Sequence, residues 1–254
     1  MPIKISGVII TYNEEKNIGR CINSISAVVD EIVVVDSFST DNTKEIALAN
    51  GARFIEHIFE GHIEQKNFAL AQSTFDYVLS MDADEALSAE LKQEVLNIKE
   101  NWVYDSYIMA RLTNYCGKWI RHSGWYPDKK LRLFNRSKGQ WGGTNPHDRV
   151  EMQIGATIGM LQGDLLHYSI YTIEEHVAQL NKFTSIGAAM AFKKGKKSNL
   201  FLILFSPLVK FIKAYFLQRG FLDGYYGFLI CSISSFASFL KYVKLRQIWM
   251  DKGK

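Results

Sequence analysis

Four runs, KISGVII, EIVVVD, RFIEHI and DYVLSMD, recur through the first 82 residues, and the segments between them carry helical apolar spacing. The runs are β-branched and mostly apolar, whereas a half-exposed strand alternates apolar with polar. Spaced by amphipathic helices, they predict a parallel sheet with helices on both faces, an open α/β architecture. The first intervening segment, TYNEEKNIGRCINSI, predicts a helix capped by Asn13, with Glu14 and Glu15 in its first turn. Ile18, Cys21, Ile22 and Ile25 are its expected buried stripe. DNTKEIALAN, closed by Gly51, and IEQKNFALAQ predict two more helices. SAELKQEVLNI predicts a fourth, with Leu87, Leu91, Val95 and Ile98 on one side.

In such sheets ligands bind beyond the carboxyl ends of the strands. Those ends are Thr11-Tyr12-Asn13-Glu14, Asp36-Ser37 and Asp82-Ala83-Asp84, three polar clusters predicted to converge on one rim. Asp82 and Asp84, two apart on extended backbone, point the same way. Together they make a hard oxygen site suited to Mg²⁺ or Mn²⁺, which shares its coordination with substrate phosphates. As a bare tripeptide the same residues read as a solvated turn. Glu85 reads as the exit toward the next helix. A ligand can lie against Thr11 and Tyr12, where the helix N-terminus offers free N–H groups. Asp36 is suited to accept from sugar or base hydroxyls, or to cap its own turn. Lys66, a cation opening a helix near the acidic rim, suits a diphosphate contact or a solvated face.

From Asn101 to Leu166 the pattern loosens. SYIMARLTNY and KKLRLFN read as strands of a mixed sheet, joined by the aromatic, Gly-rich segments GKWIRHSGWYPD and KGQWGGTNPHD. Arg132 and Arg136 either meet phosphates or coat an exposed strand face; Trp125, Tyr126 and Trp141 either stack on sugars or fill the core. TIEEHVAQLNKFTSIGAAMAF predicts a helix and KKGKKSN a cationic connector. The expected organisation is one domain over 1–192, with halves 1–100 and 101–192, and a helical tail over 193–254.

The net charge of +4 hides an asymmetry: Lys193 to Lys254 hold twelve Lys or Arg against Asp223 and Asp251. The same stretch is the most apolar, with NLFLILFSPLVKFIKAYFL and GFLICSISSFASFL. Basic and apolar together favour an anionic membrane surface over nucleic acid. A span needs about 20 apolar residues. Leu200 to Val209 stops short at Lys210, and Gly224 to Leu240 includes four serines, so in-plane amphipathic helices are expected in preference to a transmembrane hairpin. Cys21, Cys116 and Cys231 are too far apart in sequence to suggest a zinc site or disulfide framework, which points to a reducing compartment. MPIKISGVIITYN is apolar too briefly for a signal peptide and reads as a strand.

ISGVIITYNEEKNIGRCINSI, EIVVVDSFSTDNT, GHIEQKNFAL and VLSMDADEAL resemble the nucleotide-binding half of family 2 glycosyltransferases. GWYPDKKLRLFNRSKGQWGGTNPHDRVE and FLQRGFLDGYYGFLI are similar to the branch that adds sugars to lipopolysaccharide core. The resemblance implies a GT-A fold and a metal-dependent, inverting transfer from a nucleotide-sugar, a UDP-sugar, to a glycolipid or saccharide acceptor. It also implies a position on the cytoplasmic face of a bacterial inner membrane, peripheral or monotopic. Thr11, Tyr12, Asn13, Glu14 and Asp36 match positions that hold uracil and ribose, and Lys66 one near the diphosphate. Asp84 matches the direct metal ligand, with Asp82 also in the metal cluster but nearer the ribose. The family more often shows Gly where Phe38 and Asn42 stand. Pro146-His147-Asp148 stands where the branch shows Val-His-Glu, which makes Asp148 the candidate general base and His147 the alternative or an orienting partner.

Two other functions compete. A sugar nucleotidyltransferase tends to carry a Gly-rich, basic phosphate loop after its first strand, which TYNEEKN lacks. A membrane-attached scaffold with a degenerate glycosyltransferase fold accommodates Phe38, Asn42 and Asp148.

Overall fold

The structure, a computed structural model, describes residues 2–144 and 147–252. The first half alternates as expected: β1 (Ile5–Thr11), α1 (Ile18–Ile25), β2 (Glu31–Asp36), α2 (Thr43–Ala49), β3 (Arg53–Glu56), α3 (His62–Ala71) and β4 (Tyr77–Asp82). There follow β5 (Glu85–Leu87), α4 (Ala89–Glu100), β6 (Ser106–Tyr115), β7 (Lys118–Ile120) and β8 (Asp128–Asn135). The second half continues with β9 (Gly139–Thr144), β10 (His147–Met152), β11 (Ile158–Ile170) and three helices, α5 (Ile173–Lys193), α6 (Leu200–Ile212) and α7 (Gly224–Lys252).

The main sheet runs β3-β2-β1-β4-β8-β6-β11-β5, with β7 added to β6, while β9 and β10 form a separate hairpin. β1 to β4 are mutually parallel; β8 pairs antiparallel with both β4 and β6, and β5 pairs antiparallel with β11. The sheet is therefore mixed, with its parallel part built from the apolar runs. Both faces of those strands are covered. Ile5, Ile9, Leu79 and Met81 pack in one layer with the α1 stripe Ile18, Cys21, Ile22 and Ile25. Val8, Val33, Val35 and Val78 pack in the other with Ala69 and Leu70 of α3. Each such aliphatic side chain contributes roughly 1.5–3 kcal/mol by burial. Gly7 lets α1 approach closely, since a Cβ there would lie 2.9 Å from Ile25 Cδ1.

Three expectations change. Asn13 does not cap α1, which begins at Ile18 after Asn17; Asn13, Glu14 and Glu15 are taken up in cross-loop hydrogen bonds. Leu87 belongs to β5, not to the stripe of α4, because Ser88 ends the strand and caps the helix by accepting from Leu91 N at 3.2 Å. The stretch read as irregular contains the longest strand, the 13-residue β11. Its pattern is masked by Gly159 and Gly163 and by residues only half buried on both faces.

By its internal contacts the chain divides into two units, Met1–Leu112 with Asp128–Tyr168, and Thr113–Pro127 with Ser169–Lys254. In the second unit α5 groups with the tail helices. A five-residue π turn, Lys213–Leu217, extends α6, and a 3₁₀ turn, Gly220–Asp223, precedes α7.

Candidate active site

The sheet register sets the ends of β1, β2 and β4 side by side: Thr11 opposes Asp36, and Ile10 opposes Asp82. The expected convergence of three polar clusters is present. Two loops leave this rim and are stapled together. Asn13 N donates to Ser39 Oγ at 2.7 Å, and its Oδ1 accepts from Thr40 N at 2.8 Å. Glu14 N donates to Thr43 Oγ1 at 2.8 Å, while the Glu15 carboxylate accepts from Asn42 Nδ2 at 2.9 Å. Asn13 and Phe38 make the bends with φ of 54° and 61°. That left-handed backbone is the conformation glycine adopts without strain.

Asp36 is buried, and its two oxygens accept from Ser39 N at 2.7 Å and Ser39 Oγ at 2.5 Å. It caps its own turn. Tyr12 is exposed. Glu14 is turned toward the acids: burial raises its carboxyl, Asn17 opposes this by a hydrogen bond, and the charges of Asp84, Asp41 and Asp82 raise it further.

The end of β4 holds a buried ion network. Arg132 Nη2 lies 2.5 Å from Asp82 Oδ2 and 2.7 Å from Glu85 Oε1. Glu85 is fully buried; its other oxygen accepts from Asp82 N at 3.1 Å, and Arg111 lies 3.4 Å from Oε1. Lys66 sits between two acids, 2.9 Å from Asp82 Oδ1 and 2.7 Å from Asp148 Oδ2. Only the Asp148 contact has hydrogen-bond geometry; the Asp82 contact is ionic, leaving that oxygen without a hydrogen bond. The indole of Trp141 lies beneath both cations, 4.2 Å from Lys66 and 5.3 Å from Arg132. Burial alone would push the Asp82 carboxyl up, but Arg132, Lys66 and Arg111 hold it well below the usual carboxylate range.

Asp84 lies apart from this network. Its Oδ2 is 3.1 Å from His167 Nε2, and its backbone oxygen accepts from Tyr168 N at 2.8 Å. β11 delivers both contacts, with His167 opposite Glu85.

Residues 6–162 match the model of Glycosyl transferase family 2. The chain belongs to that family. An uncharacterized glycosyltransferase of Rickettsia typhi is 36% identical to it, over 96% of this chain and 87% of the relative. The lipopolysaccharide core biosynthesis glycosyltransferase LpsC of Rhizobium meliloti is 28% identical, over 96% and 93%. Among solved structures, glucosyl-3-phosphoglycerate synthase from Mycobacterium tuberculosis, in complex with Mn²⁺, uridine diphosphate and phosphoglyceric acid, overlays with a TM-score of 0.48 at 19% identity, over 78% of this chain and 80% of that one. The mixed sheet with flanking helices is the GT-A type expected of a family 2 glycosyltransferase.

The metal that family 2 enzymes commonly use can be tested against this donor set. Among the described residues no group of three His, Cys, Asp or Glu side chains gathers around one point. Asp82 is taken up by Arg132 and Lys66. Asp84 and His167 offer one carboxylate oxygen and one imidazole nitrogen. That pair fits an Mg²⁺ or Mn²⁺ ion that draws its other ligands from water and diphosphate.

Several residues stand in other company than expected. Lys66 is buried between acids and not on a solvated helix face. Arg132 neither coats a strand nor faces solvent; it is buried, while Arg136 donates to Leu70 O at 3.1 Å. Glu85 is the buried counter-ion of Arg132, not the exit to a helix. Trp141 is core, packed with Val78 and Phe134. His167 was missed altogether: a single His in LLHYSI has no motif around it, and only the pairing of β11 with β5 reveals its place. The side chain of His147, like Pro146, lies outside the described residues; the backbone of His147 opens β10 opposite Thr144.

Proposed function

We propose that this family 2 glycosyltransferase moves a sugar from a UDP-sugar to a hydroxyl of a lipid-linked acceptor of the lipopolysaccharide-core kind, with inversion at the anomeric carbon, on the cytoplasmic face of a bacterial inner membrane. The observation that carries this reading is the division of labour at the end of β4: Asp82 and Glu85 are neutralised by arginine and lysine, while Asp84 stands outside that network and pairs with the imidazole of His167. The full-length likeness to LpsC supports the acceptor class.

In this reading the stapled loops carrying Thr11, Tyr12, Asn13, Glu14 and Asp36 hold the uridine. Asp84 and His167 hold Mg²⁺ or Mn²⁺, with Asp82 fixing the turn from within. The ion supplies positive charge to a diphosphate that departs with one more negative charge than it had when esterified. Asp148 is the base. Its carboxylate takes the proton of the acceptor hydroxyl as that oxygen attacks the anomeric carbon, and the bond from that carbon to the diphosphate oxygen breaks, releasing UDP. Lys66 restrains Asp148 at 2.7 Å and so governs where the carboxylate points. His147 is the alternative base.

The test is transfer from a panel of UDP- and GDP-sugars to native lipid extract with Mn²⁺. Asp84→Ala and Asp148→Asn are expected to lose transfer, and a chelator to remove it. Absence of turnover with every donor would sink the reading; full activity in Asp148→Asn with loss in His147→Ala would move the base to His147.

A further inference from the structure

We infer that α6 and α7 lie flat in one leaflet of a bilayer bearing anionic headgroups, as a monotopic platform, and do not cross it. The inference deepens the proposed membrane location and rests on it. By length and composition alone two segments qualify as spans, Leu200–Leu217 and Gly220–Lys252, and only 11% and 17% of their most apolar windows are buried. Their exposed apolar side chains are ordered. On α6, Leu200, Leu204, Leu208 and Ile212 recur every four residues, with Phe201 and Phe205 one step round the helix. On α7, Tyr225, Phe228 and Phe236 mark a second stripe. Both stripes suit contact with acyl chains, and what decides between lying flat and crossing is the other side of the pair. Lys210, Lys213 and Arg219 are exposed alongside, and Lys193, Lys194, Lys196 and Lys197 precede α6. Those cations complement phosphate headgroups.

What covers the opposite side of α7 excludes a crossing. α5 runs along it: His176 and Tyr226 both pack on Tyr115, a Cβ added at Gly187 would lie 3.7 Å from Lys241 Cδ, and Phe192 meets Trp249. Lys244 Nζ reaches Asn181, Thr184 and Ser185 of α5 at 2.7–2.9 Å. The outer face of α5 exposes Glu174, Glu175, Gln179 and Lys182. A spanning α7 would draw these charges into hydrocarbon, at a cost that such side chains meet only when paired or facing water. The hairpin turn is tied to polar chain as well: Asp223 accepts from His122 N at 2.8 Å and pairs with the His122 ring at 2.9 Å. With the pair lying flat, α5 and residues 121–123 stay in water and the two stripes meet acyl chains. Inside the pair, Ser235 Oγ donates to Pro207 O at 2.7 Å and Ser238 Oγ to Ser206 Oγ at 3.2 Å, so these hydroxyls are satisfied without water.

The experiment uses the full chain carrying Lys197→Cys or Arg219→Cys, at opposite ends of α6, in right-side-out and inverted inner-membrane vesicles. A membrane-impermeant maleimide is applied and the modified site read by mass spectrometry. Both positions are expected to react in inverted vesicles and neither in right-side-out ones. Reaction of the two positions from opposite sides overturns the flat arrangement. Flotation with vesicles separates this from the location itself: binding to phosphatidylglycerol-containing vesicles is expected to exceed binding to pure phosphatidylcholine by about tenfold or more, and to be lost in Leu204→Glu/Leu208→Glu with the circular dichroism unchanged. Absence of flotation on the anionic vesicles sinks the membrane location and this inference with it.

Discussion

The two units of the chain dispose of polarity in opposite ways. In the first, charge is carried inward: Arg132, Lys66 and Glu85 are all buried at the end of β4. In the second, leucines and phenylalanines face outward while Ser206, Ser235 and Ser238 turn into the helix pair. Buried charge is tolerated only with partners in good geometry, so the first unit depends on side chains distant in sequence meeting within 3 Å. The second pairs fewer buried charges, Asp223 with His122 among them, and leaves its apolar stripes exposed.

The comparison can be broken at several points. The largest effect belongs to Asp148→Asn, where the transfer rate should fall by about 10²–10⁴ if the carboxylate is the base, while thermal unfolding shows the protein still folded. Arg132→Met leaves Asp82 and Glu85 buried without their guanidinium and should destabilise the first unit by about 3–5 kcal/mol in urea unfolding, with Arg132→Lys recovering part of it. An unchanged midpoint would mean the network is slack. His167→Ala should weaken apparent Mn²⁺ affinity about 10–100-fold with little change in stability, measured as the metal concentration for half-maximal transfer.

Acid sharpens the same point. The Asp82 carboxyl is depressed in the folded state, so its contribution is fully present above the ordinary carboxylate pKa of about 4. It is lost as pH falls from there through the lower folded value. Unfolding midpoints measured from about pH 5 down to about pH 2 should fall more steeply in the wild type than in Arg132→Met. The smallest effect is Phe38→Gly: relief of the left-handed backbone outweighs the added freedom of the unfolded chain, and a gain of up to about 1 kcal/mol is expected by calorimetry.

Much of the fold was legible before the structure. KISGVII, EIVVVD, RFIEHI and DYVLSMD are strands, and the stripe of α1 is buried as spaced, because period and burial are local properties that a chain carries wherever it folds. So too the rim was legible: once parallel strands are granted, their polar ends must lie together. Loop details were not, since Asn13 as helix cap and Asn13 as a staple to Thr40 leave the same trace in sequence.

What remained hidden was pairing. TYNEE, EIVVVD and DADE announced carboxylates at strand ends, but nothing local says that Arg132 will neutralise Asp82, that Lys66 will lie between Asp82 and Asp148, or that His167 will reach Asp84. Those contacts join residues 16 to 83 positions apart and exist only because β8, α3, the β9–β10 hairpin and β11 converge on the end of β4. The same holds for Ser235 and Ser238 of α7, which in sequence weaken an apolar run and in the fold turn toward α6. The sequence by itself determined the four parallel strands β1 to β4, where polarity concentrates and which family the chain resembles, since each follows from near neighbours. Tertiary structure alone decided which acid is neutralised and which is left facing an imidazole, because a charge's state depends on what the fold brings within a few ångströms of it.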